Sequence, residues 1–329
     1  MKTLFKILLT SFFCLFIACS PLGNPVDVEK SDSHYYNSSK SSIQYSPMGN
    51  WFELGNTEMS ADIASFEVFN SWLSRDKDYI FFDAYKVETS KIDLATFVAS
   101  NKVYMKDIGY DKDYVYAFGK EIKDKKYYGT FTIIEEANSK TFIRTHWDWA
   151  HDGKYHYYLN KKVDAHYDSF KTINQFFAID QNQTYVRKDK TFKPFLGDVA
   201  SLQTLEGSSH MLDHENIYWL QFFTENSNEL IPIPYVNENE IELLNHYFLK
   251  IKDTIYFDGL AQQHIDAKSF EIIDHSYAKD AAQVYYKSQI VIDADVNSFK
   301  RMENSYKYMD KNGVYIEGKL EKEQPEGRK

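Results

Sequence analysis

Histidine and carboxylate side chains are the first candidates for chemistry in this sequence. His210 and His214 are four residues apart, a spacing that would place two zinc ligands on one face of a helix. The segment Asp213-His214-Glu215-Asn216, however, has the composition of a polar turn and falls at the turn position of a repeat described below. Three further histidines lie near one another without a ligand pattern: His146, His151 and His156. We therefore predict no metal site.

Motifs of known enzymes are not found in the chain. It contains no glycine-rich phosphate loop, no nucleophile elbow and no His-Glu-x-x-His pattern. The two cysteines, Cys14 and Cys19, are both near the N-terminus, so a mature domain has neither a thiolate nucleophile nor a disulfide. We predict no catalytic residue, no cofactor and no enzymatic activity. An alternative is a hydrolase of envelope polymer with its site at residues 135–150.

Aromatic side chains are the better candidates for binding. Trp147 and Trp149 lie in a stretch that interrupts the repeat, and insertions in repeat proteins often leave the stack as binding loops. We predict Trp147, Trp149 and Tyr157 as candidate ligand-binding residues, with an envelope protein or a glycan as the ligand. The alternative, which the sequence favours, is that both tryptophans cap the core at an irregular turn.

The N-terminal residues predict export and lipidation. Lys2 and Lys6 precede an uncharged apolar stretch that ends at Ala18 and is too short to span a bilayer, which indicates a signal peptide over residues 1–18. Phe16-Ile17-Ala18-Cys19 resembles a lipobox, in which the cysteine is acylated and becomes the mature N-terminus. We expect Cys19 to anchor the chain to a bacterial membrane. Ser20 stands where Asp would favour retention at the inner membrane, so the outer membrane or cell surface is expected more than the inner membrane.

The residues after Cys19 are mostly polar, and their apolar residues do not recur at the spacing of a helix or a strand. We therefore expect residues 19–48 to form a flexible tether. A net charge of −10 argues against nucleic acid as a partner of the folded part. Aromatic residues reach 17%, with 26 Tyr and 24 Phe, which directs attention to a repeated structural unit.

Eight copies of a first anchor, Asp-x-x-Ser-Phe-x-x-Ile, predict a short helical turn in each unit. Asp or Asn can cap such a turn, and apolar residues three apart can dock it on a core. The Phe position is occupied by Phe66, Phe97, Phe131, Phe170, Leu202, Ile241, Phe270 and Phe299. An acidic residue or its amide stands four positions earlier in six copies: Asp62, Asp93, Asp198, Asn237, Asp266 and Asp295.

A second anchor predicts a β-hairpin. An Asp opens a polar turn, and an aromatic residue follows five positions later in a stretch rich in β-branched residues. The turn Asp residues are Asp76, Asp111, Asp152, Asp180, Asp213, Asp280 and Asp310. The aromatic partners, in the same order, are Phe81, Tyr116, Tyr157, Tyr185, Tyr218, Tyr285 and Tyr315. Tyr256 fills this position in the remaining copy.

These two anchors carry a family resemblance. Asp111-Lys112-Asp113-Tyr114-Val115-Tyr116, Asp280 leading to Val284-Tyr285-Tyr286, and Asp310-Lys311-Asn312 resemble the Asp-Lys-Asn-Tyr-Tyr element of the DKNYY family over residues ~60–320. The resemblance implies a repeat architecture and a bacterial envelope compartment, because family members are often lipoproteins. It implies no activity and no catalytic residues.

Together the patterns predict an all-β or β-dominated repeat array of about eight hairpin units with short helical turns, elongated or curved. A closed, propeller-like ring is the alternative. We expect the repeat domain over residues 49–320, with insertions near 135–148 and 220–236, and a charged tail at 321–329. The recurring tyrosines are expected to be packed between units rather than exposed as a ladder. The predicted function is a non-enzymatic envelope scaffold that binds a protein or a surface glycan, with a passive spacer as a further alternative.

Overall fold

The computed structural model describes residues 20–221 and 229–321. The predicted signal peptide, the lipidation site Cys19 and residues 322–329 of the predicted charged tail lie outside the described residues. The chain divides into two compact units, one ending at Tyr167 and one beginning at Asp168. Among the described residues, no helix is long and apolar enough to cross a membrane.

Each unit is built from short antiparallel strands that run as four-stranded meanders. Seven of the eight sheets in the described residues have four strands, and one sheet has eight because it joins two meanders. We call each meander a repeat and number the repeats along the chain. The predicted β-dominated repeat array is therefore confirmed.

The unit that ends at Tyr167 contains four repeats. Repeat 1 comprises β1 (Leu22–Pro25), β2 (His34–Asn37), β3 (Ile43–Tyr45) and β4 (Thr57–Met59). Repeat 2 comprises β5 (Glu67–Val68), β6 (Leu73–Arg75), β7 (Ile80–Phe82) and β8 (Tyr85–Val87). Repeat 3 comprises β9 (Val98–Ala99), β10 (Ile108–Tyr110), β11 (Val115–Lys123) and β12 (Lys126–Ile133). Repeat 4 comprises β13 (Ile143–Arg144), β14 (Trp149–His151), β15 (His156–Tyr158) and β16 (Lys161–Val163).

The unit that begins at Asp168 contains five repeats. Repeat 5 comprises β17 (Lys171–Thr172), β18 (Phe177–Ile179), β19 (Thr184–Lys188) and β20 (Thr191–Phe195). Repeat 6 comprises β21 (Gln203–Thr204), β22 (Met211–Leu212), β23 (Asn216–Leu220) and β24 (Leu230–Pro234). Repeat 7 comprises β25 (Ile241–Leu243), β26 (Phe248–Ile251), β27 (Thr254–Phe257) and β28 (Leu260–Ala261). Repeat 8 comprises β29 (Glu271–Ile272), β30 (Tyr277–Lys279), β31 (Val284–Tyr286) and β32 (Gln289–Ile290). Repeat 9 comprises β33 (Lys300–Arg301), β34 (Tyr308–Asp310), β35 (Gly313–Ile316) and β36 (Lys319–Leu320).

Short helical segments connect the strands. The one α-helix of the described residues is α1 (Trp51–Leu54), and 3₁₀ turns span Pro47–Gly49, Ile63–Ser65, Val103–Met105, Tyr167–Ser169 and Glu238–Glu240. The predicted capping role of the first anchor is seen at Asp62, whose side chain accepts a hydrogen bond from the backbone N–H of Ala64, and at Asn237, which accepts from Asn239.

The predicted tether is wrong from Ser20 onward, because residues 22–45 supply three strands of repeat 1. Ile43, Tyr45 and Met59 are buried and pack with Phe81 and Ala84 of repeat 2. The segment has few apolar residues, so its periodicity is hidden in the sequence. Its serine-rich turn is closed instead by side chains, since the Asn37 carboxamide oxygen accepts a hydrogen bond from the Ser41 N–H at 2.7 Å.

The insertion predicted near 135–148 is misplaced. Strands β11 and β12 are lengthened and pair from Tyr116–Ile133 to Lys123–Lys126, so the extra residues extend a hairpin. Phe131 therefore lies in a strand, against Tyr116 and Phe118, and is not the first-anchor residue of repeat 4. Phe142 fills that position, four residues after Asn138. Thr130 matches the Ser or Thr that precedes the Phe of the first anchor, which explains the misplacement.

The insertion predicted at 220–236 also lengthens a hairpin. Strands β23 and β24 pair from Asn216–Pro234 to Leu220–Leu230. Residues 222–228, in the middle of that predicted insertion, lie outside the described residues.

Candidate functional site

The recurring turn aspartates of the second anchor lie buried at one end of the meander in seven of the nine repeats described. In repeat 8, one carboxylate oxygen of Asp280 accepts hydrogen bonds from the backbone N–H groups of Ala282 and Gln283, both at 2.8 Å. The other oxygen accepts from the Tyr285 hydroxyl at 2.6 Å and from the backbone N–H of Asp266 at 3.1 Å. One side chain thus joins the hairpin turn, the third strand and the cap of its own repeat.

The same contacts recur along the chain. The tyrosine hydroxyl donates to the Asp five residues earlier in six repeats, at Tyr116–Asp111, Tyr157–Asp152, Tyr185–Asp180, Tyr218–Asp213, Tyr285–Asp280 and Tyr315–Asp310. The cap residue donates its backbone N–H to the turn Asp at Asp62–Asp76, Asp93–Asp111, Asn138–Asp152, Asp198–Asp213, Asp266–Asp280 and Asp295–Asp310. The two anchors predicted separately from the sequence are therefore parts of one hydrogen-bonded network.

The lysine of the Asp-Lys-Asn element also serves this network. Lys77 lies 2.7 Å from a carboxylate oxygen of Asp62, and Lys311 lies 2.7 Å from Asp295. Each pair joins the hairpin turn to the cap of the same repeat. The pairs are exposed, so we assign them a small stabilising role.

The electrostatics of the turn aspartates fit a structural role. Burial alone would raise the pKa of Asp280, but the hydrogen bonds from Tyr285 and from three backbone N–H groups outweigh it and hold the pKa below its usual value. The pKa values of Asp111, Asp152 and Asp213 are lowered by the same arrangement. Burial, together with the neighbouring carboxylate, raises the pKa of Tyr315 to about 12. An ionised Asp and a neutral Tyr are thus the stable pair, and neither oxygen of such an Asp is placed to attack or protonate a substrate.

The opposite end of the meander carries a second kind of turn that sequence reasoning missed. Between the first and second strands, the Asn70 side chain accepts hydrogen bonds from the N–H groups of Trp72 and Leu73. Its amide nitrogen donates to the carbonyl oxygens of Ser100 and Lys106 in repeat 3. Asn174, Asn245 and Asp274 close the corresponding turns of repeats 5, 7 and 8. In the sequence, the mark of this turn is an Asn or Asp three residues before a buried apolar residue.

An aromatic patch forms at this end of the unit that ends at Tyr167. We define it as Trp72, Tyr104, His146 and Trp147, which come from the first turns of repeats 2, 3 and 4. The rings of Trp72 and Trp147 are stacked, with centroids 6.3 Å apart and 24° between their planes. Tyr104 meets Trp147 edge-on at 5.4 Å, and His146 lies 5.8 Å from Tyr104. Trp147 is 49% exposed and Tyr104 is 36% exposed, so the patch faces solvent.

Arg144 holds the patch in place from beneath. Its side chain is buried and pairs with the Asp107 carboxylate at 2.6 Å. It also donates to the carbonyl oxygen of Tyr104 at 3.1 Å and to the side-chain oxygen of Asn160 at 2.8 Å. These contacts connect repeats 3 and 4 next to the exposed rings, so the patch stands on a fixed support.

The three residues predicted for ligand binding have different positions. Trp147 belongs to the aromatic patch, with Trp72 and Tyr104 as neighbours that the sequence did not identify. Trp149 is half-buried in β14 and packs on Tyr158, with ring centroids 5.0 Å apart. Tyr157 is 0% exposed and bonds to Asp152, so its side chain is not available to a ligand. The strand spacing that makes it part of the hairpin core explains the error.

His210 and His214, whose spacing would suit zinc on a helix, lie in different surroundings. His210 is buried flat against Trp219, with ring centroids 3.7 Å apart, and its Nδ1 accepts a hydrogen bond from the Leu220 N–H. Burial lowers the pKa of His210 to about 4, so it is neutral near pH 7. His214 is exposed in the hairpin turn, and its ring lies beside Ser201 and Asp198. The described residues contain no group of three or more His, Cys, Asp or Glu side chains suited to a metal ion.

Comparison with known proteins agrees with the repeat pattern. The model of the DKNYY family matches residues 149–319, which contain most of repeat 4 and nearly all of repeats 5–9. No curated protein and no solved structure matches the chain. Because the family model covers more than half of the sequence, the chain belongs to the DKNYY family.

Proposed function

We propose that this chain is a non-enzymatic scaffold of the bacterial cell envelope, anchored by a lipid on Cys19, that docks a partner protein through its aromatic patch. The observation that carries the proposal is the contrast between the patch and the rest of the aromatic residues. The recurring tyrosines are buried in hydrogen-bonded networks, whereas Trp147 and Tyr104 are held in solvent by a buried arginine. Large exposed aromatic rings on a fixed support have no role in the repeat core.

A protein suits the patch better than a small ligand. Trp and Tyr are the residues most enriched among the few that dominate protein–protein binding energies. The patch also has a polar rim, because Ser71 donates to Asp32 at 2.9 Å beside Trp72, and Lys106 lies within the electrostatic reach of Asp32. An apolar centre with a polar rim is the usual arrangement of a docking surface. Two grooves in the described residues, lined by residues 203–243 and 274–317, contain none of the patch residues.

The contacts near the patch favour a scaffold over a hydrolase. A hydrolase at residues 135–150 would need an acid and a base acting together beside the tryptophans. His146 and Asp148 flank Trp147, but no hydrogen bond or ion pair among the described residues joins their side chains. Asp152, the nearest recurring carboxylate, accepts hydrogen bonds from Lys154, Tyr155, Tyr157 and Asn138 and is therefore fully engaged. Membership in a family defined by its repeat points in the same direction.

Trp147→Ala is expected to weaken partner binding by about tenfold or more. Truncation of a tryptophan at the centre of an interface typically costs about 2 kcal/mol of binding free energy. The measurement is in-cell photocrosslinking of the full-length chain with a benzoylphenylalanine probe at position 146. We expect one defined protein to be crosslinked, and the crosslink to fade in the Trp147→Ala background.

The matched control is the same probe at Val236, which is 99% exposed and far along the chain from the patch. It should crosslink only sparsely and should not respond to Trp147→Ala. Equal crosslinking at positions 146 and 236, or none at either, would contradict docking at the patch and would favour a passive spacer.

Cys19→Ser is expected to move the chain from the detergent phase to the aqueous phase on phase partitioning. The reason is that acyl chains on Cys19 are the proposed anchor, and several chains together give stable membrane attachment. Radiolabelled palmitate should be incorporated into the wild-type chain and not into the variant. Cys14→Ser is the control, since Cys14 lies within the predicted signal peptide and should leave partitioning unchanged. A variant that still enters detergent and carries label would rule out lipidation at Cys19.

A further inference from the structure

A groove lies between repeats 8 and 9, in the unit that begins at Asp168. Its volume is about 340 Å³, and its lining includes Tyr277, Tyr286, Arg301, Tyr306, Tyr308 and Glu317. Strand residues form the floor, Tyr306 and Glu317 come from turns of repeat 9, and residues 274–276 of the first turn of repeat 8 complete the lining. The volume falls at the low end of the range of roughly 300–1,000 Å³ that small-ligand sites occupy.

Aromatic rings form the floor of this groove. Tyr277 and Tyr308 are buried with ring centroids 4.0 Å apart, and Tyr286 lies 4.9 Å from Tyr277. The Tyr277 hydroxyl accepts a hydrogen bond from the Gly318 N–H at 2.7 Å, which ties the floor to the last turn of repeat 9. Tyr306 lies at the rim and is 73% exposed, a large exposed fraction for an aromatic side chain.

Two charged side chains of opposite sign add hydrogen-bonding capacity. The Nε–H of Arg301 donates to the Ser305 carbonyl oxygen at 2.9 Å, which fixes the guanidinium over the turn. Among the described residues, its terminal nitrogens have no hydrogen-bond or ion-pair partner, and the same holds for the Glu317 carboxylate. The groove therefore offers free donors and a free acceptor beside aromatic faces.

The charge balance selects the ligand class. The lining contains two carboxylates, Asp274 and Glu317, and one guanidinium, Arg301, so an anion and a cation would each meet a like charge. A neutral sugar ring avoids both repulsions. Its C–H face carries a slight positive charge that suits the negative face of an aromatic ring, and its hydroxyl groups both donate and accept hydrogen bonds.

We propose that the groove between repeats 8 and 9 is a binding site for a neutral sugar unit of a glycan. Tyr306 stacks on one sugar face, Arg301 donates to hydroxyl oxygens and Glu317 accepts from hydroxyl hydrogens. This proposal does not rest on the aromatic patch, which lies in the other compact unit.

The test uses the full-length chain in detergent on an array of immobilised oligosaccharides, some of neutral hexoses and N-acetylhexosamines and some containing uronic acids. We expect binding to neutral oligosaccharides. Tyr306→Ala and Arg301→Ala should each weaken it by about tenfold, the loss expected when one principal contact is removed. Both side chains are exposed, so the fold should survive, and unchanged circular dichroism would verify this.

Two variants serve as controls. Lys300→Ala alters the neighbouring strand residue, whose side chain points to the other face of the sheet, and should bind sugar like the wild type. Trp147→Ala should also leave sugar binding intact, while it reduces crosslinking of the partner protein. Absence of binding to any neutral oligosaccharide, preference for the uronic acids, or equal binding by Tyr306→Ala and the wild type would each overturn the proposal without touching the docking function.

Discussion

Replacing Asp280 by alanine is expected to lower the free energy of unfolding of its compact unit by about 3 kcal/mol or more. The wild-type carboxylate accepts four hydrogen bonds, from Ala282, Gln283, Tyr285 and the backbone of Asp266. Alanine leaves all four donors without an acceptor in a site that is nearly closed to water. Urea denaturation of the full-length chain, followed by circular dichroism, measures the loss.

Tyr285→Phe is the matched control for this substitution. It removes one of the four donors and leaves the Asp280 carboxylate bound by the other three, so we expect a cost of about 1 kcal/mol. Repeat 2 already contains this arrangement, since Phe81 stands five residues after Asp76 and is fully buried. If the two variants lost equal stability, the hydroxyl contact would be the main element of the network and the backbone contacts would be secondary.

The repeat itself was predictable because the residues that define each anchor lie within five positions of one another in the sequence. A turn Asp and a Tyr five residues later lie on one hairpin, and a cap Asp and a Phe four residues later lie on one turn. What the sequence could not show is that Asp111 and Asp93 meet, because that contact depends on how the chain returns across eighteen residues. The bridging of repeats by Asn70 was missed for the same reason.

The errors have a common physical origin. Phe131 resembles an anchor residue because Thr130 precedes it, yet its strand partner Phe118 and its ring contact with Tyr116 place it in a hairpin. The sequence of repeat 1 indicates a tether because its buried residues, such as Ile43, are few and lie among serines. Local composition describes how much a segment can bury by itself, whereas repeat 1 is stabilised by packing on repeat 2.

The candidate site shows the same limit. Trp147 is recognisable in the sequence because it interrupts the repeat. Trp72 and Tyr104 belong to the two preceding repeats, and no sequence pattern relates them to Trp147. Only the equivalent position of three turns brings these rings together. In a repeat protein, a binding surface is therefore better sought by aligning turn positions across repeats than by searching for insertions.

Trp219→Ala is expected to lower the free energy of unfolding by about 3–5 kcal/mol, the cost of removing a large buried aromatic side chain. Trp219 is 0% exposed in repeat 6, where it packs on His210 and belongs to a core cluster with Leu249 and Ile251 of repeat 7. Its indole N–H also points to a carboxylate oxygen of Asp258 at 3.3 Å. The side chain is thus shared between two repeats, and its loss should affect both.

Hydrogen exchange followed by mass spectrometry locates the effect of this substitution. Because stability in a repeat array is shared mainly between neighbours, backbone protection should fall over residues 203–261 and remain unchanged over residues 20–133. Phe270→Ala is the control: this ring is only half-buried and packs on Phe248, so it should cost less and loosen repeats 7 and 8 instead. An even rise in exchange from Ser20 to Glu321 after Trp219→Ala would show that the repeats unfold as one cooperative body, and nearest-neighbour sharing of stability would then be wrong.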